Sequence, residues 1–185
     1  MHQTVLKIST FFSRLFAGGA GLSMFTVFMI VFINSIRRYT IGKSLEWGEE
    51  MPVFIAIYGV MFGVAWAYLQ DRHIRFTILV GFLPEWATQK LYFVVDLIMI
   101  ATGGLLTYSG YLFTVKRGGL ESSGLINLAK DLRSLTGWGD MIWLGHLYPY
   151  QAAMIIGGGA LAIAALLRLL IRLSPREVVQ IREEV

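Results

Sequence analysis

Four long apolar runs leave this chain few ways to fold. A helix needs about 20 apolar residues to cross the hydrocarbon core of a bilayer. Residues 15–36 carry no charge and stop at Arg37-Arg38, and residues 51–69 stop ahead of Asp71-Arg72-His73. Residues 91–115 hold one charge, Asp96, and residues 148–167 end at Arg168 and Arg172. The first run is longer than a signal-peptide core, and its small residues come at its start, where no cleavage site would lie. It therefore reads as a span. Only 15% of the 185 residues are charged and 56% are hydrophobic, against about 25% charged in soluble domains. Such a composition excludes a soluble enzyme and a disordered chain. The expectation is an all-α integral membrane protein, one domain of four long tilted helices over 1–185, with a short tail at 174–185.

An even number of spans puts both termini on one side. Lys7, Arg14, Arg72, Arg75, Lys90, Arg168, Arg172, Arg176 and Arg182 share that side. Arg37, Arg38, Lys43, Lys116, Arg117, Lys130 and Arg133 take the other. Cytoplasmic loops carry the excess of Lys and Arg, so nine against seven places the termini in the cytoplasm. The five tryptophans, Trp47, Trp66, Trp86, Trp138 and Trp143, all fall near span ends, where the headgroup belt holds amphipathic rings. A net charge of +4 in so apolar a chain points to anionic membrane lipid as a partner and not to nucleic acid.

Two segments are too short or too polar to cross. Residues 74–83 read as an interfacial segment or an extension of the second span. Pro84 fits the first turn of a helix, and a helix from 84 to 115 runs about 48 Å at 1.5 Å per residue, so it must tilt or protrude. In the loop 116–147, apolar residues at 125, 128, 129, 132 and 135 follow helical spacing, with Asn127, Lys130, Asp131 and Ser134 opposite. That pattern predicts an amphipathic helix on the outer membrane surface or on a partner, stopped by Gly137.

No enzyme constellation is present. The chain lacks cysteine, and His2, His73 and His146 are its only histidines. His73 closes the second span and His146 opens the fourth, about a membrane thickness apart, so the two do not form a bis-histidine haem site. A membrane redox or haem-anchor subunit stays the alternative from another class. No cofactor or metal is expected. Asp96 is a buried carboxylate within a span, a functional candidate by default. Its structural reading is a pair with Arg72, Arg75 or Lys90. A small self-sufficient exporter would have only this carboxylate to work with. The densest charged stretch, 37–50, places Arg37 and Arg38 near Glu46, Trp47, Glu49 and Glu50. An Arg–Glu pair there would fix the first two spans or dock a subunit. Gly59, Gly63 and Ala67 recur every four residues, so they share one helix face where two helices pack closely. Gly157-Gly158-Gly159 offers the same in the fourth span.

The run Arg38-Tyr39, then Ser44-Leu45-Glu46-Trp47-Gly48-Glu49-Glu50, then an apolar span with Gly63, then Asp71-Arg72-His73-Ile74-Arg75, resembles a known family. It is similar to the small membrane subunit, DctQ-like, of tripartite ATP-independent periplasmic (TRAP) transporters. The motif covers residues 37–84, and the four-span architecture covers the rest. One departure is Thr77, where family members often carry Asp. The resemblance implies a scaffold in the bacterial inner membrane, bound to a large permease that moves by an elevator motion and is driven by a cation gradient, usually sodium. It also implies a periplasmic substrate-binding protein that delivers an organic acid anion. Subunit contacts and structural ion pairs are then expected at Arg37, Arg38, Glu46, Trp47, Glu49, Glu50, Gly59, Gly63, Ala67, His73 and Asp96.

Overall fold

The structure, a computed structural model, describes residues 2–70 and 84–173. Five helices appear in the order α1 (His2–Ile41), α2 (Trp47–Leu69), α3 (Glu85–Arg117), α4 (Ser123–Thr136) and α5 (Tyr148–Leu173). A 3₁₀ turn, Gly139–Gly145, precedes α5. Among the described residues there is no strand, only an isolated bridge between Glu121 and His146. Four of the helices, α1, α2, α3 and α5, are long and apolar enough to span a membrane. The protein is an all-α membrane protein.

The four spanning helices stand in a row. α1 packs on α2, α2 on α5 and α5 on α3. α3 rests chiefly on α5, with Asp96 reaching Tyr68 of α2, while α1 touches α5 only lightly. The chain order is therefore not the spatial order, because the fourth span inserts between the second and third. The core lies where α1, α2 and α5 meet: Phe16, Ala65, Tyr68, Leu69, Ala160, Leu161, Ala164 and Leu167. A row covers its members less well than a closed bundle. Leu22, Phe25, Val60 and Leu105 accordingly stay more than half exposed, as lipid- or protein-facing side chains do.

Small residues set the approach of α3 to α5. A Cβ on Gly103 would lie 2.7 Å from the Ala162 amide and 2.8 Å from the Gly158 carbonyl. A Cβ on Gly158 would lie 2.6 Å from the Thr107 amide. Backbone meets backbone here, which is how small residues drive association in lipid. Gly157 faces Met61 of α2 instead, so neighbouring glycines of α5 serve two neighbours. The expected packing stripe of α2 is only partly used. Gly59 meets Met24 and Ser23 of α1, but a Cβ on Gly63 would meet nothing within 4 Å, and Ala67 is half-buried.

Side-chain ties between helices fix the depth of each one. Gln70 Nε2 donates to Ser13 Oγ at 2.7 Å, and the Leu45 amide donates to Asn34 Oδ1 at 2.7 Å. Ser13 and Asn34 are twenty-one residues apart on α1, about 32 Å of helix. The stretch from Gly48 to Gln70 on α2 and that from Asp96 to Gly118 on α3 each span twenty-two residues, about 33 Å. These lengths match the ~30 Å hydrocarbon core. On this match of length the two levels are read as the two membrane edges, and the ends of α1 and α3 extend past them. The long third helix starts right after Pro84, whose carbonyl accepts from the Ala87 and Thr88 amides. The expected interfacial segment at 74–83 and the tail at 174–185 lie outside the described residues.

The excursion between α3 and α5 closes on itself. The Ser122 amide donates to the Gly145 carbonyl, Leu147 to Leu120 and Tyr148 to Gly118, so its two stems are stitched together. Within it, α4 ends at Gly137, whose φ of +72° is the left-handed cap that glycine adopts without a Cβ clash. The amphipathic helix forms over the expected stretch, and its apolar face is covered by the chain itself. Its buried residues, Gly124, Leu125, Ile126 and Ala129, pack on the start of α2 and on the 3₁₀ turn. At its far end Leu135 is 82% exposed and Trp138 70%.

Candidate functional site

Two polar clusters mark the two membrane edges. The first surrounds Asp96, which is fully buried. Tyr68 of α2 donates its hydroxyl to Asp96 Oδ1 at 2.5 Å. Arg172 of α5 brings Nε to 2.9 Å from Asp96 Oδ2, and its guanidinium also lies over the Tyr92 ring at 4.5 Å. The Arg172 contact is chiefly electrostatic, since Oδ2 accepts no well-formed hydrogen bond. Arg168, one turn earlier on α5, adds a second positive charge that acts on Asp96. One carboxylate thus joins three helices, α2, α3 and α5. A charge taken out of water needs such a partner and such hydrogen bonds to be tolerated.

The structure supplies the cation beside this carboxylate, and it is not one of those expected. Asp96 sits level with the ends of α2 and α5, at the membrane edge, while α3 runs eleven residues further, about 16 Å. The cation paired with it is Arg172, not Lys90, which lies over Trp86 at 5.2 Å. Arg72, Arg75 and His73 lie outside the described residues. A carboxylate locked at the edge by a phenol and a guanidinium is suited to holding helices in register.

The second cluster lies at the opposite edge. The loop 42–46 folds back because Asn34 accepts from the Leu45 amide and Gly42 caps α1 with a φ of +76°. This delivers the start of α2 to the start of α4. Glu50 Oε2 accepts from the Ser122 hydroxyl, and Asn127 Nδ2 donates to Glu46 Oε2 at 2.7 Å. Gly124 lies so close that a Cβ would be 2.7 Å from the Glu46 carbonyl. A carboxylate beside the first turn of α4 also faces the positive end of that helix. Nearby, the Tyr58 hydroxyl donates to the Pro149 carbonyl, and the Phe54 and Tyr150 rings lie 4.7 Å apart. α2 is therefore tied to both α4 and α5 at this edge.

The Arg–Glu pair expected in 37–50 does not form among the described residues. The reason is register: α1 continues past Asn34 to Ile41, carrying Arg37 and Arg38 beyond the level of Glu50. Arg38 stacks on its own neighbour Tyr39 at 5.6 Å. Glu46 and Glu50 turn to α4 instead, Glu49 is exposed, and Trp47 is half-buried at the start of α2. Ser122, Asn127, Asn34, Tyr68 and Arg172 carry these clusters and were not singled out by the sequence. Arg172 left a signal as a charge just past the end of an apolar run, and Asn127 as part of the polar face of the 116–147 segment. His146 sits at this same edge, with Nδ1 3.1 Å from the Ile142 carbonyl, and so stands as a loop-fixing residue.

With this geometry in view, comparison with known proteins is informative. The family described as "Tripartite ATP-independent periplasmic transporters, DctQ component" matches residues 27–174. That range runs from mid-α1 to the end of α5 and takes in both clusters. A Haemophilus influenzae protein assigned as a TRAP transporter small permease is 28% identical over 72 residues. The match covers 39% of this chain and 45% of that protein, so the chain is aligned with less than half of its relative's length. The family match takes in the second half of the first spanning helix and the whole of the other three, and on that ground this chain belongs to the DctQ component family of TRAP transporters, as a multi-pass membrane small-permease subunit.

Proposed function

We propose that this chain is the fixed scaffold beside a large TRAP permease in the bacterial inner membrane, with both termini cytoplasmic. The permease moves by an elevator motion. It takes up an organic acid anion delivered by a periplasmic binding protein, at the expense of a sodium gradient. The observation that carries this reading is the uncovered broad face of the row. On α2, Val53 is 60% exposed and Val60 55%, and Gly63 opens onto empty space. These residues lie on the side of α2 away from Phe62, which packs toward the core. A flat apolar face with a small residue at its centre suits a second membrane protein. Support also comes from the polar groups, which are spent on locking helices at the two edges.

The test is complementation. A strain lacking this chain should lose uptake, and restoring it should recover uptake and recover the large permease by affinity purification. Uptake that proceeds unchanged without the chain would refute the proposal.

A further inference from the structure

On the broad face opposite Val60 and Gly63, α1 and α5 splay apart above Phe62 of α2. They leave a groove of about 650 Å³. Its walls are Gly18 and Leu22 of α1 with Ile156 and Ile163 of α5, and Arg14 closes one end. The groove is open enough that a Cβ on Gly18 would meet nothing within 4 Å, and Leu22 is 68% exposed.

Depth identifies the occupant. Arg14 follows Ser13, whose tie to Gln70 marks the membrane edge. From Arg14 to Leu22 is eight residues, about 12 Å. One leaflet of the hydrocarbon core is about half of 30 Å. The groove thus begins at headgroup depth with a cation and ends within the same leaflet. A partner's transmembrane helix would need a track across the whole slab. Arg14 is exposed, so its guanidinium is open to an anionic headgroup. Lys7 lies two turns earlier on the same face of α1, further into the headgroup zone. We infer that this groove seats one acyl chain of an anionic phospholipid, with the phosphate held by Arg14.

The bound lipid extends the protein where its own packing is thinnest. It fills the gap between α1 and α5 and stiffens the α1 end of the row. Basic residues near a membrane surface attract anionic headgroups, each strengthening binding about fivefold. The distinction from general lipid contact is that both headgroup charge and chain position matter.

The full chain is reconstituted in phosphatidylcholine vesicles with a small fraction of phosphatidylglycerol bearing a photoreactive group on its acyl chain. Labelling is expected to concentrate on Leu22, Ile156 and Ile163. Unlabelled phosphatidylglycerol should compete and phosphatidylcholine should not. Arg14→Gln should reduce labelling about fivefold. Gly18→Leu, which has room for its side chain, should abolish labelling in the groove with no change in helix content. Labelling spread equally over Leu105 and Val60, or indifferent to headgroup and to Arg14, would overturn the site. In native membranes, a photoreactive residue at Leu22 that captures the large permease instead of lipid would overturn it as well.

Discussion

Arg172, on the last turn of α5, sits 2.9 Å from Asp96, and that contact ties together two helices that are distant in sequence. Tyr68 adds α2 to the same carboxylate. The pair lies at the membrane edge, where the buried carboxylate is fully covered and the Arg172 side chain keeps 26% exposure.

Asp96→Asn and Arg172→Gln should each destabilise the chain. Removing one member of a buried pair costs about 3–5 kcal/mol, and the partial exposure of Arg172 puts the effect at the low end of that range. The double variant should lose less than the sum of the two, because the orphaned charge is gone. Thermal unfolding of the four proteins in one detergent measures the coupling. Strict additivity would separate the two residues.

The spans were legible because bilayer thickness demands their length and because charges bracket each apolar run. Their spatial order was not. Nothing in the composition of 148–167 says that it inserts between the second and third runs, since that follows from Gly103 meeting Gly158 and Gly157 meeting Met61. Glu46 and Glu50 stood out within the densest charged stretch, 37–50. Their partners did not, because Ser122 and Asn127 lie over seventy residues away and carry no charge to betray them. Arg37 and Arg38 misled for the converse reason: closeness in sequence counts for little once α1 runs on past the turn.

The clasp between Glu50 and α4 should be measurable by hydrogen exchange. Glu50→Ala removes a charged acceptor, and a hydrogen bond to a charged group is worth about 1.5–3 kcal/mol. Exchange at the first turns of α4 should rise about tenfold or more, with the spanning helices unaffected. Glu50→Gln keeps an acceptor and should show a smaller rise. Equal protection in all three proteins would show that α4 is held by its apolar face alone.

Gly103 and Gly63 should respond oppositely to enlargement. Gly103→Leu forces a side chain into the backbone of α5, beyond the 1–3 kcal/mol or so of ordinary overpacking, and the chain should fail to accumulate. Gly63→Leu has open space within the chain, so the isolated protein should melt normally and lose the large permease on purification. Normal recovery of the permease with Gly63→Leu would remove this face from the interface.

Orientation can be read with single cysteines, because the chain has none of its own. Leu135→Cys, on the exposed end of α4, should react with an impermeant thiol reagent in cells with a permeabilised outer membrane. Lys7→Cys should react only after lysis. The reverse pattern would invert the topology.

The scaffold reading is tested most directly by placing a photo-crosslinking amino acid at Val60, in the uncovered face of α2, within membranes that express the complete transporter. The account predicts one dominant adduct, which mass spectrometry identifies as this chain joined to the large TRAP permease. It also predicts that the adduct forms equally well with and without substrate, as expected of a stationary contact. Adducts only to lipid or to a second copy of this chain, or a yield that changes with substrate, would contradict it.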